Sequence, residues 1–154
     1  MDWKELYCSK MMSTEEAAAL IEPGDVIFVG CAGNLAVPLV DAICAREDLA
    51  RVRMIGSTNG DDFLAVTDKS CFERVQYASI FLGSSERRNY SGGNIQPNSI
   101  HYHNFYRAMR DVYKVNTLIM ECSAPDEDGW ISIPAEPVEE KDINSLVAAA
   151  MEKP

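Results

Sequence analysis

Apolar residues in this chain fall into short continuous runs, separated by small and polar residues, and two further stretches carry them at helical spacing. Val26-Ile27-Phe28-Val29 is apolar and mostly β-branched, the pattern of a strand covered on both faces in a parallel sheet. The small-residue loop Gly30-Cys31-Ala32-Gly33-Asn34 follows it, and Val37 to Arg46 then returns to helical spacing. A second strand fits Val52 to Gly56 and ends in the polar turn Ser57 to Asp62. A third fits Tyr77 to Leu82 and ends in Gly83-Ser84-Ser85. The pattern further predicts a short strand over Ile100 to His103, a helix over Asn104 to Asp111 and a fifth strand over Thr117 to Cys122. Beyond the turn residues Ser123 to Gly129, Trp130 to Ile133 fits a strand running back. At the other end, Asp2 to Ile21 reads as helical, with Ser13-Thr14-Glu15-Glu16 as an N-cap and acidic first turn. Pro23-Gly24-Asp25 ends it.

Strands alternating with helices predict an α/β fold, with a mainly parallel sheet and helices on both faces. Val26–Val29, Met54–Gly56, Ile80–Leu82 and Thr117–Cys122 are expected as inner strands. Ligands in such folds bind at the carboxyl ends of the strands. The small and polar segments Gly30–Asn34, Ser57–Asp62 and Gly83–Arg88 all fall there. Asn89 to Ser99, rich in Gly, Asn and Ser, reads as a loop. The pattern divides the chain into one domain over 1–134 and an acidic tail over 135–154, with a short helix at Ile143 to Glu152.

Charge narrows the partners. A net charge of −10 repels both phosphate backbones and anionic lipid, so neither a nucleic acid nor a membrane is expected. No apolar run approaches the roughly 18 residues of a membrane span. The N-terminus lacks the apolar core of a signal peptide, which points to a cytoplasmic protein. Cys8, Cys31, Cys44, Cys71 and Cys122 are odd in number and show no C-x-x-C spacing, so neither a disulfide framework nor a metal site is suggested.

Two segments carry candidate chemistry. Gly30-Cys31-Ala32-Gly33-Asn34 is small enough for backbone amides to approach a ligand, ahead of a helix whose dipole favours anions. It matches neither G-x-G-x-x-G nor a Walker motif, and it reads equally as a tight turn with no ligand. Cys31 has no partner histidine nearby in sequence, so a structural thiol is the better reading. Ser84, Ser85 and Arg88 put hydroxyls and a guanidinium at a strand end, suited to a phosphate or carboxylate, or else to a solvated charged loop. His101 and His103 share a face if extended, but no third metal ligand accompanies them. Asp126 and Asp128 beside Gly129 are expected to shape a turn.

The order of these segments resembles the acetyl-CoA hydrolase and 4-hydroxybutyrate CoA-transferase family. Met1-Asp2-Trp3-Lys4 and the helix before Pro23-Gly24-Asp25 are similar to that family's opening. Val26 to Asn34 with Pro38 to Ala42, and Phe81 to Ser85 with Arg87 or Arg88, resemble two of its strand ends. The most specific likeness is Asn116 to Gly129, whose Ser123, Pro125, Asp126 and Gly129 resemble an S-x-P-D-x-x-G stretch. The likeness runs from Met1 to about Ile133.

The resemblance implies a single CoA-transferase-like (NagB/RpiA-like) domain. Coenzyme A or an acyl-CoA, with a small carboxylate, would be the substrate, and no covalently bound cofactor would be needed. Gly30, Cys31, Ala32, Gly33, Asn34, Ser84, Ser85 and Arg88 would be the residues facing it. Family members carry a second α/β domain with the nucleophilic glutamate and a glycine-rich oxyanion loop, and no segment here matches either. Glu121, the lone acid on a core strand, lies inside the first-domain likeness and is not that nucleophile. The expectation is a first domain inactive by itself, forming a homo-oligomer or pairing with a chain that holds the second domain. Two alternatives stand beside it: a non-catalytic assembly subunit, and an unrelated α/β domain that binds a small anion.

Overall fold

The computed structural model describes residues 3–132; the tail over 135–154 and its expected helix lie outside them. The N-terminal helical stretch is two helices, α1 (Trp3–Lys10) and α2 (Thr14–Ala19). Ser13 breaks them apart because it adopts an extended conformation and caps α2. Its hydroxyl accepts from the Glu16 N–H at 3.1 Å, and its own N–H donates to the Glu16 carboxyl at 2.8 Å. α2 buries Ala17 and Ala18, whereas α1 buries nothing.

The rest alternates as the pattern predicts. β1 (Val26–Cys31) leads through a 3-10 turn (Ala32–Asn34) to α3 (Val37–Ala45), then β2 (Val52–Ser57) and α4 (Leu64–Thr67). Another 3-10 turn (Lys69–Cys71) precedes β3 (Val75–Ser79), which is followed by α5 (Ser84–Asn89) and β4 (Ile95–Pro97). α6 (Phe105–Arg107) continues as a π-helical turn (Ala108–Tyr113) into β5 (Thr117–Leu118). The five strands form one sheet in the order β4-β3-β2-β1-β5, and every pair is parallel. From β1 the chain steps outward to β4, then crosses back to place β5 on the other side of β1. The order therefore reverses between β1 and β5.

Strand side chains alternate between two apolar layers. Ile27, Val29, Val52, Met54, Val75 and Tyr77 pack with α2, α3 and α4 in the larger core. Phe28, Ile55 and Ala78 face the opposite side, where Ala108, Met109 and Phe105 cover them. Phe28 and Phe105 meet edge to face at 5.2 Å. Helical cover thus lies on both faces, but the second layer is thin, and Arg53 and Gln76 remain exposed on it. At the far end of the larger core, Arg46 donates to the Ala18 and Ile21 carbonyls at 2.6 and 2.7 Å, satisfying the end of α2.

Five expectations need correction. The third strand is Val75–Ser79 rather than Tyr77 to Leu82, because beyond Ser79 the chain bends away and leaves Phe81 exposed. Ile100 to His103 is no strand; a 3-10 turn (Tyr102–Asn104) stands there. The fourth strand is instead Ile95–Pro97, inside the stretch read as loop. Only Ile95 of the three is buried, and Pro97 is tolerated because the strand lies on the sheet edge. Thr117 to Cys122 is neither as long nor as central as expected: the ladder covers Thr117–Leu118, and β5 forms the other edge among the described residues. Trp130 to Ser132 does run back, through Ser132 N–H to Ser123 Oγ at 2.9 Å and Ser123 N–H to Ser132 O at 2.8 Å, without forming a strand.

Candidate functional site

The carboxyl edge of the sheet gathers the loops after β1, β2, β3 and β5. Gly30 leaves β1 with φ +83°, and a Cβ there would lie 2.7 Å from the Asn34 carbonyl oxygen. Glycine is needed on both counts. Ala32 also adopts a positive φ of 52°, so the loop curls tightly, and Leu35 and Ala36 separate it from α3. The segment is accordingly a turn beside the helix rather than the helix start itself. Asn34 O accepts the Glu121 N–H at 3.0 Å, which joins the β1 loop to the β5 loop where the strand order reverses. The buried Asn34 Oδ1 has no hydrogen-bond partner among the described residues.

Glu121 is half-buried there. Burial raises its carboxyl above the ordinary carboxylate range, and the nearby Asp61 raises it further. Asp61 belongs to the β2 loop, so acids from the β2 and β5 loops come together beside the β1 loop.

The β3 loop is bound tightly to the β2 loop. Gly83 lies against Thr58 and Asn59 so closely that a Cβ would collide with the Asn59 backbone. Glu86, on α5, is fully buried and gathers four donors. Its carboxyl accepts from Gly83 N–H at 2.7 Å, Tyr77 O–H at 3.0 Å, Asn59 N–H at 3.3 Å and Ser79 O–H at 3.3 Å. The Asn59 side-chain amide in turn donates to Tyr77 Oη at 2.8 Å. Burial, and then Glu86, pushes the Tyr77 phenol well above its usual range.

The sequence-derived candidates at β3 are spent on the same junction. Ser85, fully buried, donates to Asp62 at 2.7 Å, and Arg88 donates to Asp62 at 2.9 Å and to Gly60 O at 3.2 Å. Ser84 Oγ donates to Gly60 O at 3.3 Å. The Ser85 hydrogen bond and then the Arg88 bond hold the Asp62 carboxyl below its usual value. Gly30–Asn34 and Ser84–Arg88 therefore lie on one edge of the sheet, with Ser57–Asp62 between them.

The other motifs resolve simply. The exposed His101 and His103 stack with ring centroids 5.5 Å apart on the 3-10 turn, and no group of three or more potential metal ligands occurs among the described residues. Asp126 Oδ1 accepts from the N–H groups of Asp128 and Trp130 at 3.0 and 2.9 Å, as expected for a turn. Gly129, at φ +86°, packs on the Trp3 ring. Sequence reasoning missed Asn59, Glu86 and Tyr77. The available signal was an acid three residues beyond a strand-end glycine, as in a capping box.

An open parallel sheet whose order reverses beside Asn34 and Glu121, with polar loops on its carboxyl edge, defines an α/β domain of the kind that binds a ligand at that edge. The N-terminal domain of the acetyl-CoA hydrolase/transferase family matches residues 1–144, and the chain belongs to that family. No curated protein matches the chain. Among solved structures, RipA from Yersinia pestis is similar over 85% of this chain and 33% of its own, at 20% identity and a TM-score of 0.73. A RipA point mutant gives a TM-score of 0.77 at 20% identity, over 86% of this chain and 33% of its own. The likeness establishes a shared fold, and the chain spans about a third of RipA. No helix among the described residues is long and apolar enough to cross a membrane.

Proposed function

We propose that this domain supplies one wall of an acyl-CoA cleft in a protein that moves coenzyme A between carboxylic acids or to water. The family match over residues 1–144 carries the reading. Gly30, Cys31, Ala32, Gly33 and Asn34 would present backbone to the ligand, with Ser84, Ser85 and Arg88 supporting the far side through the β2 loop. Thioester exchange needs a nucleophile and preorganised donors for the developing oxyanion. A second α/β domain, in the same protein or a partner chain, would bring both, so these 154 residues alone would not transfer coenzyme A.

The thin layer favours association. Tyr102 (91% exposed), Tyr106 (72%) and Val112 (73%) stand on the segment that covers it. Exposed apolar side chains on this segment, set among the exposed Arg107, Arg110 and Asp111, suit a partner surface. A second copy is the occupant we infer, and light scattering that shows a monomer refutes it.

Titration calorimetry with coenzyme A tests the binding site. One wall should bind at about millimolar affinity or weaker, since each ~1.4 kcal/mol of lost contact costs about tenfold. Arg88→Ala should weaken it further by loosening Gly60–Asp62. Micromolar binding that is insensitive to Arg87→Ala and Arg88→Ala would refute the placement, and CoA transfer by the chain alone would refute the division of labour.

A further inference from the structure

A pair of histidines stands outside the candidate site, on the segment inferred above to meet a second copy. His101 enters the 3-10 turn Tyr102–Asn104 in an extended conformation, and Asn104 N–H donates to His101 O at 2.8 Å, closing the turn. The closed turn sets the imidazoles of His101 and His103 side by side, with centroids 5.5 Å apart and planes 17° from parallel. Aromatic contacts tie it to the sheet: Tyr102 lies 6.3 Å from Phe105, and Phe105 lies 5.2 Å from Phe28 of β1. Both histidines are exposed, so rotation about χ2 is free to turn a nitrogen of each ring toward the gap between them. Two imidazoles that ligate one ion have ring centres about 5 Å apart, because each nitrogen lies ~2 Å from the ion at a near-tetrahedral angle. The turn therefore already holds the two rings at close to a ligating separation.

We propose that His101 and His103 are half of a metal site, completed by the same two histidines of a second copy around a divalent cation of the zinc class. One copy falls short by itself, because no group of three or more potential ligands occurs among the described residues. A twofold axis through the ion supplies the missing pair, since an isologous contact repeats one surface patch on both copies. Four imidazole nitrogens at tetrahedral corners are a donor set for Zn²⁺, and imidazole suits zinc, copper and nickel where magnesium and calcium take oxygen. The same axis places Tyr102, which stands between the two histidines and is 91% exposed, next to its own copy. The net charge of −10 draws a cation to the protein, and Asp111, paired with Arg107 and Arg110, offsets part of the positive charge on this segment. The site shares its face with the association inferred above but does not depend on its strength, because the ion itself ties the copies together.

The test uses the whole chain, stripped with EDTA and then titrated with Zn²⁺ while association is followed by analytical ultracentrifugation. Calorimetry should give one ion bound per two chains. Dimerisation should strengthen by about tenfold or more, because a ligand held only by the dimer favours the dimer. His101→Ala and His103→Ala should each remove the Zn²⁺ effect and leave sedimentation in EDTA as in the parent. Cys8→Ser, which removes the exposed thiol, should keep the effect. Co²⁺ in place of Zn²⁺ should give the visible absorption of a tetrahedral nitrogen site without a thiolate charge-transfer band. A chain that is monomeric in EDTA and dimeric in Zn²⁺ supports the site and refutes only the metal-free association. No Zn²⁺ binding, one ion per chain without association, a Zn²⁺ effect that survives both histidine variants, or a thiolate band would each overturn the proposal.

Discussion

Glu86 is expected to be the residue on which the candidate site most depends for its shape. Glu86→Ala removes the acceptor of Gly83 N–H, Asn59 N–H, Tyr77 O–H and Ser79 O–H, all inside a fully buried junction. The Ser79 hydroxyl can rotate toward another acceptor, whereas the two backbone donors are fixed and the phenol is packed against Phe63 at 5.1 Å. Each buried donor left without a partner costs about 1–3 kcal/mol. Water entering the space left by the carboxyl recovers part of this, so the loss should total about 3–5 kcal/mol. That is a large share of the ~5–15 kcal/mol that holds a domain together. Urea denaturation followed by circular dichroism measures it, with the midpoint read at constant slope. Glu86→Gln keeps one acceptor oxygen but turns an amide toward at least one donor, and should lose about half as much. Arg88→Ala, which breaks a half-exposed ion pair, should lose no more than ~1 kcal/mol. A Glu86→Ala protein within ~1 kcal/mol of the parent would refute the view that this carboxyl holds the β2 and β3 loops together.

Three further outcomes follow from the same geometry. Gly30→Ala should destabilise the protein by about 1–3 kcal/mol, because the new Cβ meets Asn34 O at 2.7 Å in a left-handed conformation; an unchanged melting temperature would count against that strain. Asp61→Asn should bring the Glu121 carboxyl part of the way back toward its ordinary value in an NMR titration, the remainder being due to burial; no movement would place the two acids apart. The Asp62 carboxyl is depressed when folded, so its contribution is present above its unfolded value of 3.8 and fades as pH falls through the lower folded value. Ser85 and Arg88 should therefore loosen from the β2 loop in strongly acidic solution, and amide exchange along α5 that responds to acid equally in Asp62→Asn would contradict this.

Local sequence determined whatever depends on near neighbours and on whether a segment is covered. Val26–Val29 and Val52–Gly56 could be read as strands because continuous apolar side chains need cover on both faces. Ser13 with Glu16 marked a helix start because a capping box closes within four residues. Pro23-Gly24 and Asp126 to Gly129 likewise announced their turns. Tertiary structure decided the rest. Ile95–Pro97 is a strand only because β3 lies beside it, and a single buried isoleucine leaves no pattern to read. Ser84, Ser85 and Arg88 looked like ligand groups from their chemistry. Their real partners, Gly60 and Asp62, are more than twenty residues away in the chain and arrive only when β2 and β3 pair. Glu86, Tyr77 and Asn59 lie on separate segments for the same reason. Chain order sets each residue's chemistry and local geometry, but which polar groups share one buried space depends on strand order, and that is fixed by the packing of the whole sheet.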